Sequence, residues 1–238
     1  MSDAPELVVG FVQCDRPEYT RRTLESFVKH ASGIRWEGCY ADDASKDQPG
    51  MMKLAESFGM VPGIINGTRK GCTPTSFELI RKLKGKYPPE TLVLYLQNDF
   101  EFLRPVPLKS IRTMLEEYYS VGWVRLASRA WPWVEKDPVW IPGVDPQWTE
   151  TECDGEFYEV GWEYYSCNPP SIMPLGTLYW LWQDGKVEKE IAMTSLDLGK
   201  GGARLVNPVT VHIGKDEGMH KPNTGFSDNV SAEGEVHG

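Results

Sequence analysis

The sequence predicts an α/β fold with a mostly parallel central sheet flanked by helices. Short apolar runs, which are typical of buried strands, alternate with segments whose apolar residues recur at helical spacing. The connections between these segments are short, and this alternation is typical of a parallel sheet covered on both faces. A chain of 238 residues is also large enough to fold without disulfides or a structural metal.

The first half of the chain predicts three units of strand and helix. The strands are predicted at Leu7–Val12, Trp36–Tyr40 and Val61–Ile65. The first two helices follow from apolar faces at Leu24, Phe27 and Val28 and at Met51, Leu54, Ala55 and Phe58. A third helix is predicted to run to about Lys84, with Thr73 as N-cap and Pro74 as its first residue.

The second half begins with the strongest strand signal, Leu92–Leu96. A helix is then predicted around Ile111, Met114, Leu115 and Tyr118, and a strand at Val121–Ala127. Residues 131–170 are expected to be a long loop, since they hold six prolines. Regular patterning returns at Leu178–Trp182, followed by a helix near Glu188–Leu198 and a strand at Pro208–Ile213. We predict one domain over residues 1–221, with 131–170 as an insert and 222–238 as a flexible tail.

The charge of the chain is uneven. The formal net charge is −9, and residues 131–165 alone carry nine acids against one base, which would repel a phosphate backbone. Residues 69–86 carry six bases against one acid. This basic stretch is either a solvated helix face or a surface that contacts phosphate, and the whole-chain balance gives no strong nucleic-acid signal.

Several classes of protein are disfavoured by missing signals. No apolar run approaches the length of a transmembrane helix, and the first residues do not resemble a signal peptide. The five scattered cysteines suit a reducing compartment, so we expect a cytoplasmic protein without membrane contact, in the host cytoplasm if the chain is viral. Walker A, GxGxxG, HExxH and GxSxG motifs are all absent from the sequence.

Two acidic turns are predicted at the carboxyl ends of strands, where open parallel sheets bind ligands. Asp42 and Asp43 follow the second strand, and Asp99 follows Leu92–Leu96. Such carboxylates suggest a metal that holds phosphates, or hydrogen bonds to a nucleoside. For the first turn, ordinary turn and cap bonds are an equal alternative.

Five segments resemble family-2-like glycosyltransferases with the GT-A fold, a Rossmann-like nucleotide-sugar-binding fold, and they occur in that family's order. Residues 7–27 resemble the opening strand, the polar turn with R-P, and the helix. ADDASKD (41–47) is similar to the DDGSxD turn, and LYLQNDFEF (94–102) to the strand with the DXD metal motif. EKEIAMTSLDLGKGGARL (188–205) resembles the ED helix and its Gly-x-R turn, and NPVTVHIG (207–214) the C-terminal strand that ends in a His.

The resemblance implies a nucleotide-sugar donor, most simply a UDP-sugar, and Mn²⁺ or Mg²⁺ as cofactor. Asp99 and His212 would hold the metal, which would neutralise the departing diphosphate. On its own, His212 is also readily explained as a core histidine. The implied donor-binding residues are Asp15, Asp42, Asp43, Arg69, Asn98 and Lys215; a solvated position is the alternative for Lys215.

The sequence departs from the family pattern in two places. Gln97 stands where the first DXD acid is expected, and Ile191 stands at the second ED position. Glu190, with Glu188 in reserve, is the candidate base of an inverting enzyme that removes the acceptor's proton. The alternative is that both are surface carboxylates at a helix N-terminus.

The acceptor is predicted to contact the aromatic-rich insert, with Trp131, Trp133 and Trp162 as candidate stacking residues. Indole rings stack on sugar faces and on unpaired bases, so a glycan and a hydroxylated base in viral DNA, as in a phage-type nucleic-acid-modifying enzyme, are both open. A protein side chain is a third alternative. A satellite hydrophobic core is the structural alternative. The resemblance therefore implies a metal-dependent, inverting glycosyltransferase. The rival hypotheses are a non-catalytic sugar- or nucleotide-binding module and a sugar-phosphate nucleotidyltransferase, whose glycine-rich loop is missing.

Overall fold

The computed structural model describes residues 4–119, 121–127, 150–153, 157–160, 170–182, 201–205 and 207–213. Within these ranges the chain forms eleven strands and five helices. The strands are β1 (Leu7–Gln13), β2 (Trp36–Asp42), β3 (Met60–Ile65), β4 (Leu92–Gln97), β5 (Phe100–Phe102), β6 (Val121–Arg125), β7 (Glu150–Cys153), β8 (Phe157–Val160), β9 (Ser171–Pro174), β10 (Gly201–Leu205) and β11 (Thr210–His212). The helices are α1 (Pro17–His30), α2 (Gln48–Ser57), α3 (Cys72–Lys84), α4 (Leu108–Glu117) and α5 (Leu175–Leu181).

Nine of the described strands form one sheet, in the order β3-β2-β1-β4-β9-β6-β10-β8-β7. The strands β3, β2, β1 and β4 pair in parallel, and β10 pairs in parallel with β6. Strand β9 lies antiparallel between β4 and β6, and β8 lies antiparallel to β10 and β7. Seven of the nine strands therefore run in one direction, which confirms the predicted fold class.

The apolar run of β1 reflects burial on both faces of the sheet. Leu7, Val9 and Phe11 point to one face and join a core that includes Leu24 and Phe27 of α1. Val8 and Val12 point to the other face and join a core that includes Leu79 and Leu83 of α3. Because a strand alternates sides with a period of two, a continuous apolar run is what such a central strand requires.

Helix α3 begins earlier than the sequence predicted. Its N-cap is Gly71, at φ 94, and its first residue is Cys72, so Thr73 is not the cap. Pro74 falls in the first turn, where the missing N–H would have no intrahelical partner in any case. The positive φ of Gly71 lies in the region that favours glycine, and this is the local reason for the earlier start.

The expectation of an unbroken loop over residues 131–170 is wrong, because β7 and β8 form a hairpin inside it. Leu178–Trp182 belongs largely to α5, and β9 just before it carried no clear strand signal. Most of the insert, the predicted helix at 188–198 and the tail lie outside the described residues. The proposed domain boundaries at 221 and 131–170 stay predictions. Within the described ranges, no helix combines the length and apolar character needed to cross a membrane.

Candidate functional site

The candidate site lies at the carboxyl ends of β1, β2 and β4. The chain leaves β1 towards β2 on one side, whereas β4 lies on the other side of β1. Such a topological switch point opens a crevice beyond the strands, and ligands of open α/β sheets bind there. Asp42 is the last residue of β2, and the turns that follow these three strands carry Asp15, Asp43, Asn98 and Asp99.

Asp42 is fully buried and its carboxylate is occupied by protein donors. Its oxygens accept hydrogen bonds from the backbone N–H of Ser45 at 2.9 Å and the hydroxyl of Ser45 at 2.7 Å. The side-chain amides of Gln48 and Gln13 add bonds of 2.9 and 3.2 Å. These contacts make Asp42 the organiser of the turn after β2, and its contact with a nucleoside stays a prediction.

Asp43 ties the turn after β2 to the loop before α3. Its Oδ1 accepts hydrogen bonds from the Asn66 amide at 3.0 Å, the Lys70 backbone N–H at 2.9 Å and the Thr75 hydroxyl at 2.9 Å. Its Oδ2 accepts the N–H of Gly71 at 2.8 Å. Asp43 therefore fixes the loop that carries Arg69, and a direct donor contact likewise stays a prediction.

Asp15 and Arg69 form an ion pair of 2.6 Å across the mouth of the crevice. Burial raises the pKa of the Asp15 carboxyl, but the backbone N–H of Lys46 at 2.7 Å and the Arg69 guanidinium outweigh it. The net effect holds the pKa of Asp15 below its ordinary value, and the hydrogen bond to Asp15 raises the pKa of Arg69. The same guanidinium contacts Cys14 Sγ at 2.8 Å, while burial raises the pKa of that thiol to about 11. The predicted pair of donor-binding residues thus lies together at one edge of the crevice.

Asn98 fastens the turn after β4 to the start of α1. Its side-chain amide donates to the carbonyl oxygen of Asp15 at 3.3 Å and to the hydroxyl of Thr20 at 3.2 Å. The amide hydrogens therefore point into the protein. The structure gives Asn98 a positioning role in the site, and its donor contact stays a prediction.

Asp99 and His212 lie side by side although they are 113 positions apart in the sequence. His212 Nε2 is 3.2 Å from Asp99 Oδ2. Strand β11 pairs antiparallel with β5, which places His212 opposite Phe100, and the N–H of Ile213 donates to the carbonyl of Asp99 at 2.8 Å. The Phe100 ring packs edge-on against the imidazole at 5.0 Å between centroids. Backbone pairing and ring packing together hold the two predicted metal ligands in register.

A divalent cation fits these two side chains only if other groups complete its coordination. Asp99 Oδ1 is buried without a hydrogen-bond partner among the described residues. One carboxylate and one imidazole suit Mn²⁺, which takes oxygen and nitrogen ligands. The described ranges contain no group of three or more His, Cys, Asp or Glu side chains able to hold a metal. A cation here would therefore take its remaining ligands from a bound phosphate ligand or from water.

Arg16 is the site residue that the sequence analysis missed. Its Nη1 lies 3.6 Å from Asp99 Oδ2, so the carboxylate sits between the guanidinium and the imidazole of His212. The R-P pair before the first helix is the available signal, but it indicates only the family's polar turn and the start of the helix. The contact depends on the left-handed backbone of Arg16, at φ 56, which sequence patterning does not reveal.

Gln97, which replaces the first DXD acid, has its amide turned towards the α3 side of the sheet. The amide donates to the Tyr95 hydroxyl at 3.2 Å and to Cys72 Sγ at 3.3 Å. Tyr95 in turn shares a 2.7 Å hydrogen bond with Ser76. Glu101, the next acid after Asp99, pairs with Arg22 of α1. Neither residue supplies a second carboxylate beside Asp99.

Most of the basic side chains in residues 69–86 contact acidic, carbonyl or aromatic groups of the protein itself. Its ion pairs join Arg69 to Asp15, Lys70 to Glu78 at 2.7 Å and Lys86 to Glu37 at 2.8 Å. Lys82 donates to the carbonyl of Gly63, and Lys84 lies over the ring of Tyr179. These contacts favour the interpretation as a solvated helix face over a row of cations open to phosphate.

Six of the predicted site residues lie outside the described ranges. They are the base candidates Glu188 and Glu190, the donor-side Lys215, and the acceptor-side Trp131, Trp133 and Trp162. Their roles stay predictions. The described residues therefore include the predicted metal ligands and the predicted donor-binding residues other than Lys215.

Protein-family models give no match to the sequence, and curated proteins give none either. Solved structures share the fold at low identity. TarS of S. aureus, residues 1–349, is 16% identical, with a TM-score of 0.55 over 86% of this chain and 59% of that one. Glucosyl-3-phosphoglycerate synthase of Mycobacterium tuberculosis, crystallised with Mn²⁺, UDP and phosphoglyceric acid, is 13% identical, with a TM-score of 0.58 over 96% and 76%. GalNAc-T7, crystallised with UDP, GalNAc and Mn²⁺, is 16% identical, with a TM-score of 0.59 over 86% and 43%.

All three neighbours are glycosyltransferases with the GT-A fold. The chain spans about three fifths of the TarS structure and less than half of GalNAc-T7. At these identities the likeness establishes the fold, and the predicted resemblance to the GT-A fold is confirmed. It does not by itself assign an activity, a donor or an acceptor.

Proposed function

We propose that this protein is a glycosyltransferase that uses a nucleotide-sugar donor together with a divalent cation. The observation that carries the proposal is the 3.2 Å contact between Asp99 and His212 at the carboxyl edge of the sheet. Two of the neighbours with this fold, glucosyl-3-phosphoglycerate synthase and GalNAc-T7, were crystallised with UDP and Mn²⁺, which supports a UDP-sugar and Mn²⁺ here. Mg²⁺ is the second choice, because an imidazole ligand suits Mn²⁺ better.

The described residues would have different roles in donor binding. Asp99 and His212 would hold the cation, which when bound would neutralise the charge of the departing diphosphate. Arg69, paired with Asp15 at the mouth of the crevice, would contact the base or the diphosphate. Asp42, Asp43 and Asn98 would keep these turns in place, because their hydrogen bonds are made within the protein.

Transfer would proceed with inversion. The acceptor hydroxyl oxygen would form the new bond to the anomeric carbon as the bond to the diphosphate breaks. Glu190, or Glu188 in reserve, would accept the hydroxyl proton. Lys215 would close over the diphosphate, and Trp131, Trp133 and Trp162 would stack on the acceptor.

The acceptor that we propose is a glycan hydroxyl. The ion pairs of Lys70 and Lys86 with Glu78 and Glu37 reduce the positive charge that a DNA backbone would require. A hydroxylated base in DNA is the competing acceptor. It would gain support if the protein were retained on DNA-cellulose at low salt and lost that retention when Arg81, Lys82 and Lys84 were replaced by Glu.

Titration with UDP and Mn²⁺ tests the donor half directly. The wild type should bind UDP more tightly with Mn²⁺ than without it and should slowly hydrolyse at least one UDP-sugar. Asp99→Asn and His212→Gln should both lose the Mn²⁺-dependent part of UDP binding. Asp47→Asn, which alters an exposed carboxylate capping α2, is the matched control. Wild-type behaviour of Asp99→Asn would rule out the proposed cation site.

Gln97 favours a second candidate, a non-catalytic sugar- or nucleotide-binding module. Its amide is engaged with Tyr95 and Cys72, so Asp99 is the only carboxylate that this strand end offers. This candidate predicts Mn²⁺-dependent UDP binding without hydrolysis or transfer, whatever donor and hydroxylated acceptor are supplied. Turnover of any nucleotide sugar by the purified wild type would exclude it.

A further inference from the structure

Arg16 faces the candidate cation site from the start of α1. Its Nη1 is 3.6 Å from Asp99 Oδ2, on the carboxylate that also lies beside His212. The guanidinium sits 5.9 Å from the ring centre of Tyr19. A positive charge thus lies next to Asp99, the carboxylate that the described residues supply to the candidate cation site.

The backbone that carries Arg16 is strained. Asp15 and Arg16 have φ values of 52° and 56°, a region that costs free energy for residues with a Cβ. Three hydrogen bonds hold this turn: the Asp15 N–H to Ser45 Oγ at 2.7 Å, the Lys46 N–H to Asp15 Oδ1 at 2.7 Å, and the Asn98 amide to the Asp15 carbonyl at 3.3 Å. Strain that is held by its surroundings in this way is typical of functional turns.

Arg16 and Asp99 attract each other electrostatically, without a hydrogen bond between them. A separation of 3.6 Å is too long for a hydrogen bond. Among the described residues, none accepts a hydrogen bond from this guanidinium. Its N–H groups are therefore available for a phosphate oxygen, which arginine binds in a bidentate manner.

We infer that Arg16 is the resident counter-cation of Asp99 and makes binding of the metal and of the donor's diphosphate depend on each other; this rests on the proposed function. The charges of Arg16 and Asp99 cancel, so a divalent cation arriving alone meets no net negative charge from this pair. A diphosphate offers Arg16 a new anionic partner and gives the cation further oxygen ligands. Asp99 is then free to hold the cation with His212.

Thermodynamic linkage makes this inference measurable. If UDP raises the affinity for Mn²⁺ by some factor, Mn²⁺ must raise the affinity for UDP by the same factor. In the wild type we expect weak Mn²⁺ binding that UDP tightens at least tenfold. Removal of the Arg16 charge should uncouple the two ligands, because Asp99 is then available without UDP.

The experiment is a Mn²⁺ titration followed by electron paramagnetic resonance, with and without UDP. Arg16→Met should bind Mn²⁺ alone at least fivefold more tightly than the wild type, bind UDP more weakly, and show less than threefold coupling. Arg16→Lys keeps the charge and should stay close to the wild type in Mn²⁺ binding without UDP. Arg21→Met is the matched control, since Arg21 lies in α1, five residues after Arg16, and its ion pair among the described residues is with the exposed Glu18 at 3.0 Å.

The outcomes separate the inference from the proposed function. If the wild type binds Mn²⁺ and UDP together but Arg16→Met binds Mn²⁺ alone no better than the wild type, the inference is wrong and the cation site stands. If no variant binds Mn²⁺ with or without UDP, both are wrong. Should Arg16→Met fail to show the wild-type circular dichroism spectrum, Arg16→Gln replaces it under the same criteria.

Discussion

The carboxylate of Asp43 accepts the backbone N–H of Gly71 at 2.8 Å, which joins the end of β2 to the N-terminus of α3. The bond closes a loop in which Arg69 stands two residues before Gly71. Because Gly71 adopts a φ of 94°, the loop needs both the glycine and the carboxylate to keep its course. Asp43, a buried acid that the sequence suggested as a donor contact, thus supports the loop that carries Arg69.

Replacement of this carboxylate should be costly. Asp43→Asn puts an NH₂ group or a weaker acceptor against four donors, and hydrogen bonds to a charged group contribute about 1.5–3 kcal/mol each. We expect the free energy of unfolding, measured in urea, to fall by about 3 kcal/mol. Asp47→Asn should change it by less than about 0.5 kcal/mol, because Asn caps a helix about as well as Asp. Equal urea midpoints for the two variants would contradict the assigned role.

Ala44 offers a stabilising substitution at the same turn. Its φ of 55° lies in the left-handed region, which costs a residue with a Cβ about 1–2 kcal/mol. Ala44→Gly removes this cost, while glycine loses about 0.5–1 kcal/mol through the flexibility of the unfolded chain. We expect a net gain of about 0.5–1 kcal/mol and a higher melting temperature. Ala55→Gly, inside α2, should lower stability by about 1 kcal/mol, and the same sign for both variants would refute the argument.

The sequence predicted the fold wherever local pattern and burial agree. Strand β4 was placed to within one residue because its apolar run is buried on both faces of the sheet. Strand β9 was missed because its sequence, SIMP, is short and follows two prolines. Its place in the sheet depends on pairing with Leu92 and Val124, far along the chain, and no local propensity reports such contacts.

The sequence predicted those site residues that lie at the ends of strands. Asp99 and His212 are expected together because the resemblance to the glycosyltransferase family implies both as metal ligands, and the structure places them 3.2 Å apart. Arg16 was missed because its contact requires a left-handed backbone that only the surrounding hydrogen bonds maintain. The sequence likewise does not reveal that Gln13, Ser45 and Gln48 donate hydrogen bonds to the Asp42 carboxylate, because these three residues come from different parts of the fold.

The pair of Asp15 and Arg69 predicts a dependence of stability on pH. The pKa of Asp15 is raised by burial but lowered further by the Lys46 N–H and by Arg69, so it lies below the ordinary value. A depressed pKa adds stability above the unfolded pKa of about 3.9, and this is lost as the pH falls through the folded pKa. Asp15→Asn should therefore be less stable than the wild type near neutral pH, and the difference should shrink below about pH 4.

Urea unfolding of both proteins between about pH 3 and pH 7 measures this difference. Arg69→Gln removes one cause of the lowered pKa and should itself lose stability relative to the wild type most strongly at neutral pH. A stability difference between Asp15→Asn and the wild type that stays constant across the range would show that the ionisation of Asp15 is not linked to folding.

The last prediction concerns Gly202 of β10, where the close approach of the Trp123 ring requires a residue without a Cβ. A Cβ built on Gly202 would overlap Nε1 and Cε2 of the Trp123 indole and lie 2.9 Å from Cζ2. The two residues are opposite each other on β10 and β6, beside a register shift. Gly202→Ala must displace a buried ring in a packed core, and overpacking of this kind costs about 1–3 kcal/mol.

The double variant Gly202→Ala, Trp123→Leu decides whether the ring is the cause. Trp123→Leu alone should destabilise by emptying space, but it also removes the atoms that a Cβ at 202 would strike. We therefore expect the double variant to lose about 1 kcal/mol less stability than the two single losses added together. Gly67→Ala, whose Cβ would meet no atom within 4 Å, should change stability by less than about 0.5 kcal/mol. Additive losses in the double variant would mean that Gly202 is required by its backbone and not by the approach of Trp123.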